Sequence, residues 1–205
     1  MVETVETTNN VSTVDVPVCV MNDKVRSFEP ALEDMFFIIP SGDYQRLLFQ
    51  GLDLREREET HLNDFRNFLR VKSLELPAGY DDQNMMVLRF LQGLKWDYQK
   101  TYDEIIEHSK WVNANVTHDA SKFVSDLNLG VLYGFGRDRM MHPVIIINVR
   151  RMIDTGIDMD RLVSMGDFFL HYVIREAMIP GKIESWTAIF DLKDVGATQV
   201  PKDRI

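Results

Sequence analysis

SWTAIFDLKDVG, Ser185 to Gly196, is the stretch on which the fold turns. Trp186, Ala188, Ile189, Phe190 and Leu192 crowd around one threonine, and an acidic turn follows. A short apolar run closed by a turn predicts a strand buried on both faces, as in a parallel sheet. HPVIIINVRRM (His142–Met152) has the same character and predicts a second such strand. Between them lie the turn DTGID and a segment of helical length, Met159–Met178. Strand, helix, strand predicts a right-handed βαβ crossover. The connecting helix is apolar nearly all round, through Leu162, Val163, Met165, Phe168, Phe169, Leu170, Tyr172, Val173 and Ile174. A surface helix carries a polar stripe, so this one needs cover on two sides, from protein or from something greasy.

Upstream the period changes. Asp53 to about Lys72 keeps Leu54, His61, Leu62, Phe65, Phe68 and Leu69 on one broad helical face, and LELPAG ends it. YDDQNMMVLRFLQGLKWD offers Asp82 as an N-cap, then Val87, Phe90, Leu91 and Leu94 at helical spacing. Asp97 caps a third helix that turns Tyr98, Tyr102, Ile105, Ile106 and Val112 inward. MFFIIP (Met35–Pro40) is an apolar knot that packs on the main body, with an exposed interaction motif as the alternative. VPVCVM (Val16–Met21) is a short strand or clamp in an otherwise flexible tail. The expected organisation is an acidic tail and packing segment over 1–50, a helical module over 51–118, and an α/β domain over 119–205.

Composition excludes several classes. The net charge is −9, and residues 1–60 hold 12 acids against 5 bases. The remainder is nearly neutral, with 20 acids and 18 bases, so a broad nucleic-acid surface is not expected. A single cysteine, Cys19, supports neither a disulfide framework nor a CxxC metal site. MVETVETTNN is no secretory signal, and no apolar run approaches the ~20 residues of a membrane span. A cytoplasmic protein with peripheral membrane association is the expectation.

The motifs carry little chemistry. GFGRDR (Gly134–Arg139) lacks the third glycine of a dinucleotide loop, so it is expected to be a turn. AIFDLKD resembles a magnesium-binding strand, but no GxxxxGK[ST] accompanies it. GxSxG is absent, and His61, His108, His118, His142 and His171 make neither HxH nor HExxH spacing. His171 and Asp167, one helical turn apart, can pair if buried. No catalytic residue, metal or cofactor is therefore expected. Arg137, Arg139, Arg150, Arg151 and Arg161 cluster in sequence around the first strand. They are read as strand-end salt bridges, or as a local basic patch for phosphates or anionic headgroups.

The order of segments resembles the CRAL-TRIO lipid-binding family. Asp81-Asp82, Leu88-Arg89-Phe90-Leu91, Trp96-Asp97 and Trp111 resemble its N-terminal helical module. GRDRMMHPVIIINV resembles its charged turn and first apolar strand, and WTAIFDLKDVG its strand ending in Asp-Leu-Lys. The resemblance implies an α/β fold in which a three-helix module packs on a βαβ part of a mixed or parallel sheet that floors a lipid cavity. It implies a non-enzymatic carrier or sensor of one hydrophobic lipid, such as a phosphoinositide or other phospholipid, with a transient membrane surface as partner. The alternative is a module docking a small GTPase or trafficking complex through residues 1–50. The expected pocket residues are Tyr133, Val163, Gly166, Leu170, Trp186, Ala188 and Phe190, the last three sharing one face by period two. The expected headgroup patch is Arg137, Arg139, Arg150 and Arg151. Two departures stand out. Met141-His142-Pro143 replaces the family's Gly-basic-Pro turn, and Trp186 and Ala188 stand where phosphatidylcholine-handling members carry small hydroxyl residues, which argues against that lipid. With only two confident strands, the domain is expected to be incomplete at Ile205 and to expose an apolar strand edge.

Overall fold

A computed structural model describes residues 21–39, 43–80 and 85–196. The elements in order are α1 (Asp23–Arg26), a 3-10 turn (Leu32–Met35), β1 (Phe36–Ile38), β2 (Tyr44–Arg46), α2 (Glu56–Val71), α3 (Met86–Gly93), α4 (Tyr98–Asn115), a second 3-10 turn (Ala120–Lys122), α5 (Val124–Leu127), β3 (Leu132–Arg137), β4 (Pro143–Asn148), α6 (Val149–Thr155), α7 (Met159–Ala177) and β5 (Thr187–Asp191). VPVCVM up to Val20, Cys19 within it, and the Asp82 cap lie outside the described residues.

The helical module is built as its periodicity predicts. Leu62 and Phe65 of α2, Val87, Leu88 and Leu91 of α3, and Ile105 of α4 close on Phe49 and Tyr80 in one apolar core. Asp97 caps α4 by accepting from the Lys100 amide at 3.0 Å, which satisfies one donor of the first turn. Phe36–Ile38 of the knot form β1, paired antiparallel with β2. Its inner residue Phe36 lies edge-on to Tyr44, with the Arg55 guanidinium over both rings. Phe37 and Ile38 remain exposed.

The second unit is mixed α/β, with a three-stranded sheet in the order β3-β4-β5. β3 and β4 are antiparallel, whereas β4 and β5 are parallel and joined through α6 and α7. The predicted βαβ unit is present. Two boundaries differ from expectation. Gly134 to Arg137 of GFGRDR belongs to β3, with an irregular register at Gly136, whose positive φ suits glycine. The turn proper is 138–142, closed by Asp138 accepting from the Met140 and His142 amides. The strand in HPVIIINVRRM stops at Asn148, because its side chain accepts from the Arg151 amide at 2.9 Å and starts α6.

Helix α7 buries Met165, Phe168, Phe169, Val173 and Ala177 against Leu132, Ile145 and Phe123. It thus covers β3 and β4. β5 contradicts its predicted two-sided burial: Ile189 is 45% exposed and Phe190 63%. It pairs on one side only among the described residues, and no β5 side chain joins the core under α7.

Two buried carboxylates fasten the loops. Glu58 receives Arg46 in a two-point ion pair at 2.9 and 2.6 Å, and Arg46 also donates to the Leu48 and Asp53 carbonyls. Glu184 accepts from the Phe49, Gln50 and Gly181 amides and pairs with Arg89 of α3. It ties the loop before β5 to the helical module. Arg46 and Glu58 are both fully enclosed, so Glu58→Ala leaves a buried cation without its partner. Urea denaturation should show a loss of about 3–5 kcal/mol, while the apolar double variant Arg46→Met/Glu58→Leu should lose clearly less.

Candidate functional site

Strand register decides which side chains share a face. Ile145 pairs with Ala188 and Ile147 with Phe190, so Ala188 and Phe190 lie on the α7 side of the sheet. Trp186, two residues before Ala188, continues that row. Tyr133 pairs with Ile146 and so points to the opposite face, one residue out of phase with Leu132 of the α7 core. The structure therefore separates Tyr133 from the other pocket residues.

Val163, Gly166, Leu170 and Ile174 follow at helical spacing on the flank of α7 next to its buried stripe. Val163 is 55% exposed and Ile174 45%, while Leu170 is half-buried against the core. A methyl group added at Gly166 would meet nothing within 4 Å, so the flank is open there. The helix covers the sheet with one stripe and leaves a second apolar one uncovered. Trp186, itself 40% exposed, faces Ile174 across a cleft of about 300 Å³ that Met86, Arg89, Met178, Pro180, Ile183, Glu184 and Gln50 complete. The helix flank, this cleft and the α7 side of β5 are the candidate apolar trough; of the predicted pocket residues, Trp186 lines the cleft itself.

The predicted arginine patch does not assemble. Arg137 ends β3 beside Pro143, whereas Arg150 and Arg151 start α6 beyond Asn148, at the other end of β4. The guanidinium of Arg137 donates to the Met141 and Ala177 carbonyls and so caps the C-terminus of α7. Arg150 pairs with Asp154 at 2.6 Å, and Arg151 donates to the Leu129 carbonyl. Arg139 is exposed on the 138–142 turn. What is contiguous in sequence is distributed by a strand that carries the chain from one edge of the domain to the other.

Several polar groups are structural fasteners. Thr187 does face away from the trough, and its hydroxyl donates to Asp138 at 2.8 Å. His142 also meets that carboxylate, through Nδ1 at 3.0 Å. Burial alone would raise the Asp138 pKa, but the bonds from Thr187 and His142 outweigh it and hold the carboxyl below the usual aspartate range. On α7, burial pushes Asp167 up and His171 down, each opposed by the charge of the other. The two act through space, with no hydrogen bond between them. In the helical module His61 stacks on Trp96 at 4.2 Å, and His108 packs edge-on against Phe90 and bonds the Tyr80 hydroxyl. Burial lowers the pKa of both, as expected of packed neutral imidazoles.

Reasoning from the sequence missed Ile174 and Met178, and the helical-module contribution of Met86, Arg89 and Gln50. Ile174 was within reach, because it follows Leu170 by one turn. Met178 ends the same helix, whereas Met86, Arg89 and Gln50 enter only through the tertiary contact made at Glu184.

Residues 127–205 match the family model described as the CRAL/TRIO domain. Such a domain implies lipid binding or transfer in general. The match begins at Leu127 of α5 and takes in the sheet and α7, but not the three-helix module. No curated protein matches the chain significantly.

Thr187→Val removes a donor from Asp138 without changing its volume greatly. A carboxyl with a lowered folded-state pKa adds stability above its ordinary value, and that stability is lost as pH falls through the lowered value. The variant should raise the Asp138 pKa, read by carboxyl NMR, and move acid unfolding to higher pH.

Proposed function

We infer that the chain binds a hydrophobic lipid along the trough beside α7 and carries it between membranes or reports its presence. One observation carries this reading: Val163 and Ile174 on the α7 flank, Trp186 in the cleft and Phe190 on the α7 side of β5 are exposed in a segment that matches the model of a lipid-handling family. Apolar area withdrawn from water yields roughly 25 cal/mol per Å², so uncovered rows on helix and strand favour a greasy occupant over solvent. Among the described residues no helix is long and apolar enough to cross a membrane, so loading and delivery in this reading occur at a membrane surface.

Phospholipids with brominated acyl chains and brominated octadecanol quench tryptophan only on contact. At least one of these probes should quench the chain's emission, and Trp186→Phe should remove most of that quenching. Phe190→Asp, which puts a charge in the trough, should weaken binding by about tenfold or more. Absence of quenching by every probe, with no lipid transferred between vesicles, would defeat the reading.

A second reading has its own observation. Leu32, Phe37 and Ile38 are exposed on and beside β1, away from the trough residues in sequence. They would dock a protein partner such as a small GTPase. Phe37→Ser/Ile38→Ser should abolish such binding and leave tryptophan quenching intact.

A further inference from the structure

The polar end of the trough has a charge composition that selects among lipids. This step rests on the lipid-binding reading above and narrows it. The cleft at Ile174 and Trp186 shares Met86 and Arg89 with a second apolar cleft of about 400 Å³, which continues past Phe90, Gly93 and Leu94 to Glu104. Among the described residues, the charged groups lining the two are one cation, Arg89, and two carboxylates, Glu184 and Glu104.

Arg89 is already committed. Its guanidinium pairs with Glu184 and lies over the Phe49 ring, 4.1 Å from the centroid. Glu184 is almost wholly enclosed, and it accepts three backbone amides besides Arg89. A phosphate drawing Arg89 away would leave that enclosed carboxylate without its cation, at a substantial cost. Lys182 in the same loop pairs with Glu29, and Arg137 is spent on the end of α7. With Arg89 and Glu184 paired, an anionic headgroup at this end would thus find no free cation among the lining groups and would meet the exposed carboxylate of Glu104.

We propose that the ligand is a lipid with an uncharged polar end, a hydroxyl or carbonyl as in a sterol or a long-chain alcohol, and not a phosphoinositide. The apolar body lies against Met86, Ile174, Met178 and Trp186, and the polar end sits at the mouth beside Gln50 and the Arg89–Glu184 pair. Such a ligand takes a hydrogen bond without disturbing the ion pair.

The test loads the 205-residue chain from neutral vesicles. Each vesicle carries one probe: dehydroergosterol, radiolabelled octadecanol or radiolabelled phosphatidylinositol. The lipid retained by the protein is counted after the vesicles are spun out. An uncharged probe should be retained about tenfold or more over phosphatidylinositol, with no loss as salt is raised. Glu104→Lys, an exposed change on α4 checked by circular dichroism, should raise phosphatidylinositol retention severalfold and leave octadecanol unchanged. Phosphatidylinositol retained as well as the uncharged probes would overturn this proposal while leaving lipid binding intact. A Glu104→Lys protein with unaltered phosphatidylinositol retention would overturn the charge argument. Retention of no probe, together with no quenching of Trp186 by brominated lipid, would sink the lipid-binding reading and this one with it.

Discussion

Glu184 carries its charge in a nearly closed site, held by four donors from three parts of the chain: the Phe49 and Gln50 amides after β2, the Gly181 amide of its own loop, and Arg89 of α3. A carboxylate so enclosed is tolerable only while those donors stay in place. The helical module and the loop leading into β5 are thereby fixed to one another. Gly181 shows how close that approach is: a side chain there would collide with the Gln50 carbonyl, and the positive φ of Gly181 also favours glycine. The cleft at Trp186 exists because this contact brings Met86 and Arg89 beside Ile174 and Met178.

The rest of the trough follows from a mismatch between helix and sheet. α7 has enough apolar surface for two stripes, but it lies over β3 and β4, so one stripe is buried while Val163 and Ile174 of the other stay exposed. β5, paired on one side among the described residues, turns Ala188 and Phe190 to the α7 side of the sheet. Exposed apolar rows on adjacent elements mark a surface that functions when covered. In the proposed lipid reading that cover is a lipid, and the paired state of Arg89 is the basis of the proposed headgroup preference.

The sequence was most legible where one period dominates. The three helices, the parallel pair and the phase of Trp186, Ala188 and Phe190 all follow from spacing that a single element imposes on itself. It was least legible where pairing with another element matters. Tyr133 is expected in the pocket from the sequence, yet its phase depends on its pairing with Ile146. The arginines were grouped by proximity in sequence, and β4 then carried them to opposite ends of the domain. β5 was judged buried from its apolarity, although burial depends on what lies beside it.

By itself, then, the sequence determined the elements, their apolar faces, the crossover between the parallel strands and the likeness to a lipid-handling family. Those properties are local, set by period, capping and composition. Only the tertiary structure decided that α7 leaves a stripe uncovered, that Arg89 reaches Glu184 across almost a hundred residues of chain, and that Arg137 and Arg150 are spent on a carbonyl and a carboxylate. Each of these depends on distances between elements, and a carboxylate's demand for donors or a helix's demand for cover is met by whichever groups the fold brings within reach.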